Sequence, residues 1–251
     1  MSKVKNTILG ILVFLVLGGG VTLVYRHEKS KTHRDLAKRI AEISPRGGPP
    51  ETIEGLREAI AAYEAQIELN VKEGAQTGVY WKILAVRLSD KGMYRDAISA
   101  LEKALRYNAN DPTLLFLTGE AASIVAANAL RFSVASGAER DHYYELAESA
   151  YLRAIERDSS YAKPLLGLGI LYTFDLDRPR PAEAIPYLER YLDLLSTDVK
   201  AMFVLARAYY MTENYEPAID MYDRILSRSK DPQVREEALN NMEIVRSEMY
   251  G

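Results

Sequence analysis

The sequence contains no cysteine. Disulfide bonds, thiolate metal sites and cysteine nucleophiles are therefore excluded. The absence is weak support for an exported protein, because a cytosolic protein can also lack cysteine by chance. Proline is scarce as well, with ten residues among 251, and 48% of the residues are hydrophobic. This composition is typical of an ordered chain with a real core rather than of a disordered one.

The sequence also lacks the motifs of catalysis and of cofactor binding. Its three histidines, at positions 27, 33 and 142, have no second ligand at the spacing that helical metal sites use. Gly167 and Gly169 lack the third glycine of a dinucleotide-binding loop, and no serine stands in a G-x-S-x-G motif. Carboxylates alternate with lysine and arginine, as on solvated helix faces. The sequence therefore predicts a non-catalytic protein with no cofactor and no metal.

Positive charge is concentrated at the amino terminus. The first 46 residues contain nine Lys/Arg against three Asp/Glu, which leaves 23 basic against 32 acidic residues for the remainder. A nucleic-acid-binding domain needs a basic stripe to displace counterions from phosphates, and this remainder is acidic. We therefore expect no nucleic acid among the partners.

One long run without charge extends from Thr7 to Tyr25. At about 1.5 Å per residue, it spans roughly the 30 Å hydrocarbon thickness of a bilayer. A cleaved signal peptide and a buried core helix are the alternatives, but Leu23, Val24 and Tyr25 are bulky where a cleavage site needs small residues. The run predicts a transmembrane helix over 7–25 after a short basic tail over 1–6.

The flanking charges give two answers for membrane orientation. Lys3 and Lys5 precede the apolar run, whereas six Lys/Arg follow it between positions 26 and 39. A count of positive charge places the following domain in the cytoplasm, but a short basic tail before an apolar run is also the layout of an uncleaved export signal. We favour export, with the domain periplasmic at a bacterial inner membrane.

Residues 26–50 form a basic juxtamembrane segment and a hinge. Each Lys or Arg near an anionic leaflet contributes about 1 kcal/mol to membrane binding, and a solvated helix flank is the alternative reading of these charges. A short amphipathic helix is predicted from about Arg34 to Ile43. The run from Ser44 to Pro50, rich in proline and glycine, then interrupts any helix.

Residues 51–251 contain only helical patterns, with apolar residues three and four apart. The segments 94–105 and 215–226 share one pattern. A small residue is followed directly by an aliphatic one, a large residue stands four positions after the small one, and a further apolar pair begins three positions after that. Related runs occur near Ala184 and Ala147. A helix with its own motif precedes each of these four segments, and its motif includes Leu84-Ala85, Thr118-Gly119, Leu168-Gly169 and Leu205-Ala206.

This pattern resembles the tetratricopeptide repeat (TPR) family, whose units are helix hairpins of 34 residues. The resemblance implies an all-α, right-handed α-solenoid, because a single hairpin cannot bury its own face and the units must stack. Gly or Ala where helices touch would let their backbones approach. The predicted elements are a first helix over 52–72, repeats over about 78–111, 112–160, 162–197 and 199–230, and a capping helix over 232–248.

Two departures from the repeat length are visible. The second unit carries roughly sixteen extra residues between its two motif halves, which predicts a first helix running to about Val134, a loop at 136–138 and a second helix beginning near Asp141. The third unit adds three residues over 175–181, where prolines are expected to set the start of the next helix. Insertions in solenoids map to one face, which is often the binding face.

In the resembled family the first helix of each unit lines a groove that receives a peptide or a helix from a partner. Carried over by position, this implies a lining that consists of Lys82, Val86, Phe116, Glu120, Ile170, Phe174, Lys200, Phe203, Arg207 and Tyr210. Such a lining suits an amphipathic helix or an apolar segment. The alternative is that the phenylalanines pack against neighbouring helices.

The sequence as a whole predicts a membrane-tethered scaffold for the assembly of an envelope complex, with other proteins as partners. A holdase-like chaperone that binds exported clients through the same groove is the alternative. Self-association into a homo-oligomer is a further possibility.

Overall fold

The computed structural model describes residues 31–39, 41–42, 52–129, 137–174 and 179–250. Within these ranges all regular secondary structure is helical. Residues 31–39 and 41–42 are helical and are called α1. The other helices are α2 (Ile53–Asp90), α3 (Tyr94–Tyr107), α4 (Pro112–Ala129), α5 (Gly137–Arg157), α6 (Ala162–Phe174), α7 (Pro181–Leu194), α8 (Val199–Met211), α9 (Tyr215–Arg228) and α10 (Pro232–Tyr250).

The predicted transmembrane helix over 7–25 lies outside the described residues. Among the helices that are described, none combines the length and the apolar character that crossing a membrane requires. The chain divides into a first unit, 1–74, and a second unit, 75–251.

In the first unit, α1 packs beside α2 through a polar contact. His33 Nε2 lies 2.8 Å from Glu73 Oε1. Ala59 and Ala62 are buried and lie on the same face of α2 as Glu73, because residues three and four apart share a helix face. The helix expected over 34–43 is already helical at position 31, the first residue described.

The separate helix predicted over 52–72 is wrong at its C-terminal end, because α2 continues without a break to Asp90. Gly74 and Gly78 lie inside this helix, where a glycine costs only about 1 kcal/mol relative to alanine. Gly78 is buried, and a Cβ atom added there would lie 2.9 Å from Tyr107 Cβ of α3. Close packing between α2 and α3 therefore accounts for this glycine.

The second unit is an α-solenoid of helix hairpins in which successive helices pack on one another. The final turns of α2 pack on α3 through a small cluster that includes Ala85, Leu101 and Trp81. A larger core then runs from α3 to α10. Its fully buried large side chains come from the apolar stripes of successive helices, and they include Leu165, Leu168, Leu188, Met202, Leu205, Ile225 and Val245.

Aspartates start three of the helices in this unit. Asp111, Asp198 and Asp231 precede α4, α8 and α10, and each accepts a hydrogen bond from a backbone N–H of the first turn, at 2.8, 3.2 and 2.9 Å respectively. Such caps satisfy donors that have no partner inside the helix. Pro112 and Pro232 follow at the first helical position, where the missing N–H costs nothing. The caps explain why the helices begin where they do.

The turns within the first and fourth hairpins have the same backbone conformation. Gly92 and Glu213 both have positive φ, at 74° and 60°. The residue after each donates its N–H to a carbonyl five residues earlier, at 2.9 Å in both turns. Glycine adopts this conformation freely, whereas a side chain at Glu213 makes it strained.

The second hairpin is longer than its neighbours. Helices α4 and α5 have 18 and 21 residues, against 13 in α6 and α8 and 14 in α7 and α9. The predicted end of α4 near Val134 lies outside the described residues. The predicted start of α5 near Asp141 is wrong, because the helix begins at Gly137 and Asp141 stands inside it, bonded to Arg140 at 2.7 Å.

Candidate functional site

A groove of about 900 Å³ opens in the second unit among α4, α5 and α6, with one side chain each from α7 and α8. Its apolar wall consists mainly of Phe116 and Ile124 of α4 and Leu166, Ile170 and Phe174 of α6. Phe174 is 50% exposed although it is a large apolar side chain. A half-exposed aromatic ring in a concave apolar surface is typical of a protein-binding site.

The floor of the groove is the ring of Tyr151, which α5 places between α4 and α6. A Cβ atom added at Gly119 would lie 2.6 Å from Tyr151 Cδ1, and one added at Gly167 would lie 2.6 Å from Tyr151 Cζ. Only glycine lets the ring approach both helices this closely. Burial raises the pKa of Tyr151 to about 12, so its phenol is neutral at physiological pH.

The rim of the groove is mainly positive. Among the lining residues that the structure describes, Arg140, Lys163 and Lys200 are basic and Glu120 is acidic, and Arg140 is paired with Asp141. The Lys163 Nζ atom lies 5.7 Å from the centroid of the Phe116 ring. A partner segment with an acidic side chain beside apolar ones would match this surface.

Five of the ten predicted site residues line this groove together. They are Phe116, Glu120, Ile170, Phe174 and Lys200. Each lies on the first helix of its hairpin, on the face that the repeat pattern indicated. The structure places them side by side, but it does not test whether they bind a partner.

Lys82 and Val86, at the end of α2, lie away from the groove. The Lys82 Nζ atom is 3.4 Å from Asp111 Oδ2, so it pairs with the cap of α4. Val86 is 39% exposed.

The three predicted residues at the other end of the array also lie outside the groove. The Phe203 ring packs 6.1 Å from that of Tyr222 on α9, measured between centroids. Arg207 lies over the Tyr210 ring at 5.2 Å. These contacts stay within the fourth hairpin.

Sequence reasoning missed part of the groove. Lys163 stands one helical turn before Leu166 and shares its face with Ile170, so the same periodicity could have identified it. The contribution of Arg140 and Tyr144 had no such signal, because the early start of α5 follows from the insertion and not from the repeat pattern.

A polar cluster stabilises the helices behind Tyr144. Glu148 of α5 accepts a hydrogen bond from the Tyr172 hydroxyl at 2.7 Å and pairs with Arg180 at 3.0 Å. The Arg180 guanidinium also lies 4.2 Å from the centroid of the Tyr172 ring. Burial acts to raise the pKa of Glu148, but the hydrogen bonds from Arg180 and Tyr172 outweigh it and leave that pKa below its ordinary value. Glu148 is therefore ionised in the fold at neutral pH.

Solved structures show that this fold is known. The crystal structure of YrrB, described as a TPR protein with an unusual peptide-binding site, is 17% identical, with a TM-score of 0.56 over 72% of this chain and 83% of YrrB. The crystal structure of MamA protein is 18% identical, with a TM-score of 0.51 over 77% of this chain and 92% of MamA. A MamA from Desulfovibrio magneticus RS-1 is 14% identical, with a TM-score of 0.52 over 70% and 98%.

Sequence comparison gives the family directly. A search among curated proteins finds no significant relative. Two family profiles, both described as tetratricopeptide repeat, match residues 84–122 and 176–238. The first match covers the end of α2 to the middle of α4, and the second covers α7 to the start of α10. These matches show that the chain contains tetratricopeptide repeats, and the stacked hairpins have the fold of tetratricopeptide repeat proteins of known structure.

Proposed function

We propose that this chain is a membrane-tethered, non-catalytic scaffold whose groove holds an amphipathic helix or an apolar segment of a partner protein. TPR folds act in general as protein-binding scaffolds. The observation that carries the proposal is the apolar groove among α4, α5 and α6, in which Phe174 remains half exposed. A large apolar surface stays exposed at a cost, and a partner that covers it recovers the burial free energy.

The chemistry of the groove defines the expected partner more closely. Apolar side chains at i, i+3 or i+4 and i+7 would contact Phe116, Ile170 and Phe174. An acidic residue on the same segment would meet Lys163 or Lys200 at the rim. The peptide-binding site named for YrrB, which shares this fold, is in keeping with such a ligand.

The tether and the compartment are part of the same proposal. They are supported by the uncharged run from Thr7 to Tyr25, which has the length of a membrane span. We infer that the repeats face the periplasm of a bacterial cell and hold components of an envelope complex. Protease treatment of intact spheroplasts should digest the repeat domain, and protection until the membrane is lysed would place it in the cytoplasm instead.

Affinity purification of the full chain from detergent-solubilised membranes tests the groove. Phe174→Glu places a charge in the apolar wall and should reduce partner recovery about tenfold or more, since a buried aromatic anchor contributes strongly to binding. Leu239→Glu on α10 is the matched control, because Leu239 is 49% exposed and lies outside the groove. The control should retain the partner.

Two results would contradict the proposal. Equal recovery with Phe174→Glu and Leu239→Glu would show that the groove does not bind the partner. Recovery of many substoichiometric proteins, rather than one or a few stoichiometric ones, would contradict the scaffold and favour the holdase-like chaperone.

A further inference from the structure

The part of α2 that belongs to the first unit carries a regular stripe of exposed apolar side chains. Successive members are separated by three, four, three and four residues, and each is 40–73% exposed. They are Ile53, Leu56, Ile60, Tyr63 and Ile67, with Val71 one turn further on. Steps of three and four average 3.5 residues, which is the repeat of a coiled-coil seam.

This stripe is separate from the face that α2 turns towards α1. Glu73, which contacts His33, shares a face with buried Ala59 and Ala62. At 100° per residue, the exposed stripe lies about 120° around the helix from that face. The buried alanines and the contact with α1 thus share one face of α2, and the apolar stripe lies on another.

We propose that this stripe binds the same stripe of a second copy of the chain, with the two α2 helices antiparallel. When Ile60 of one copy lies opposite Tyr63 of the other, Leu56 faces Ile67 in the same way. Ile53 of one copy and Val71 of the other are then offset by one residue, or about 1.5 Å along the helix axis. The pairing is symmetric, so one surface serves both chains.

The charges beside the stripe favour this direction. Arg57 and Glu64 are exposed and flank the stripe on the side away from α1. In the antiparallel pair, Arg57 of one copy comes within about 3 Å along the helix axis of Glu64 of the other, and the symmetry makes this contact twice. In a parallel pair these residues would instead face Thr52 and Ala59, which offer no opposite charge.

The area is sufficient for a specific, modest interface. With about half of each side chain still exposed, the stripe offers on the order of 500 Å² per copy, or about 1,000 Å² in the pair. This lies at the lower limit for specific protein–protein contacts.

Cysteine cross-linking of the full chain in cells tests the pairing, since the chain has no cysteine of its own. With a short thiol-reactive cross-linker, Ile60→Cys should give a covalent dimer, because position 60 lies near the symmetry axis. Ile67→Cys should give little, because the two copies of position 67 are about 16 Å apart along the axis. Ile244→Cys on α10 is the matched control, with 52% exposure against 56% for Ile60.

Charge reversal gives a second readout that does not depend on packing. Arg57→Glu or Glu64→Arg alone, each made in the Ile60→Cys chain, should weaken dimerisation about tenfold, since two attractions become two repulsions. The double variant should restore it. A yield from Ile60→Cys no greater than from Ile244→Cys would overturn the proposal. Equal yields from Ile67→Cys and Ile60→Cys, or indifference to charge reversal, would overturn the antiparallel arrangement.

Discussion

Replacement of Gly169 by alanine tests the close packing of the third hairpin. Gly169 lies in the middle of α6, where alanine would normally stabilise a helix by about 0.5–1 kcal/mol. In the fold, however, the added Cβ would lie 2.4 Å from Leu188 Cδ2 of α7. Leu188 is completely buried, so it has little room to move. Overpacking of a well-packed core costs about 1–3 kcal/mol.

The net effect should be a loss of about 1–2 kcal/mol. For a domain of this size, that corresponds to a fall of about 2–8 °C in the midpoint of thermal unfolding, which circular dichroism of the full chain would record. Gly137→Ala is the control, because a Cβ at Gly137 meets no atom within 4 Å. It should leave the midpoint unchanged or raise it.

A double substitution separates the clash from any other defect. Leu188→Ala alone should cost about 2–5 kcal/mol, because it opens a cavity. In that background Gly169→Ala no longer meets the leucine methyls, and it should become neutral or stabilising. The reasoning is refuted if Gly169→Ala stabilises the original chain, or if it remains equally destabilising after Leu188 has been removed.

Three further predictions concern turns, caps and pH. Glu213→Gly should raise the unfolding midpoint, by the equivalent of about 1 kcal/mol, because glycine adopts positive φ without strain. Asp198→Ala should cost about 1–2 kcal/mol, since α8 loses its cap and the Tyr191 hydroxyl loses its 2.6 Å acceptor, while Asp198→Asn should recover part of the loss. Glu148, whose pKa is lowered in the fold, contributes stability that is fully present above its ordinary pKa of 4.5 and is lost as the pH falls through the lower folded value. Thermal unfolding of Glu148→Gln should therefore show a weaker loss of stability in acid than the original chain, and parallel pH profiles would contradict this role.

The sequence predicted the array of helix hairpins because the spacing of apolar residues along each helix follows directly from helix geometry. The positions chosen for the starts of the second, third and fourth repeats, 112, 162 and 199, are those at which α4, α6 and α8 begin. Local signals are strong there, since an aspartate cap or a turn precedes each helix. The predicted end of the first helix, at residue 72, was wrong, because the packing of this part of α2 depends on residues distant in sequence. Gly78, for example, contacts Tyr107, which lies 29 residues away.

The site was predicted only in part, because periodicity identifies a face but not the space in front of it. Phe116, Leu166 and Phe203 occupy equivalent places in α4, α6 and α8. The first two line the groove and Phe203 does not, although Phe203 contacts Tyr222 much as Phe116 contacts Tyr151, at 6.1 and 6.2 Å between ring centroids. What differs is the hairpin beside them, because the longer α4 and α5 supply further lining residues such as Ala126 and Arg140.

The extra turns of the second hairpin give the groove a closed side. Ala126 and Ala127 of α4 and Arg140 of α5 lie in the part of that hairpin that exceeds its neighbours' length, and all three line the groove. The groove is therefore bounded on this side by residues that a hairpin of ordinary repeat length lacks. A partner segment that binds there as proposed would contact side chains of the insertion as well as those of the repeat.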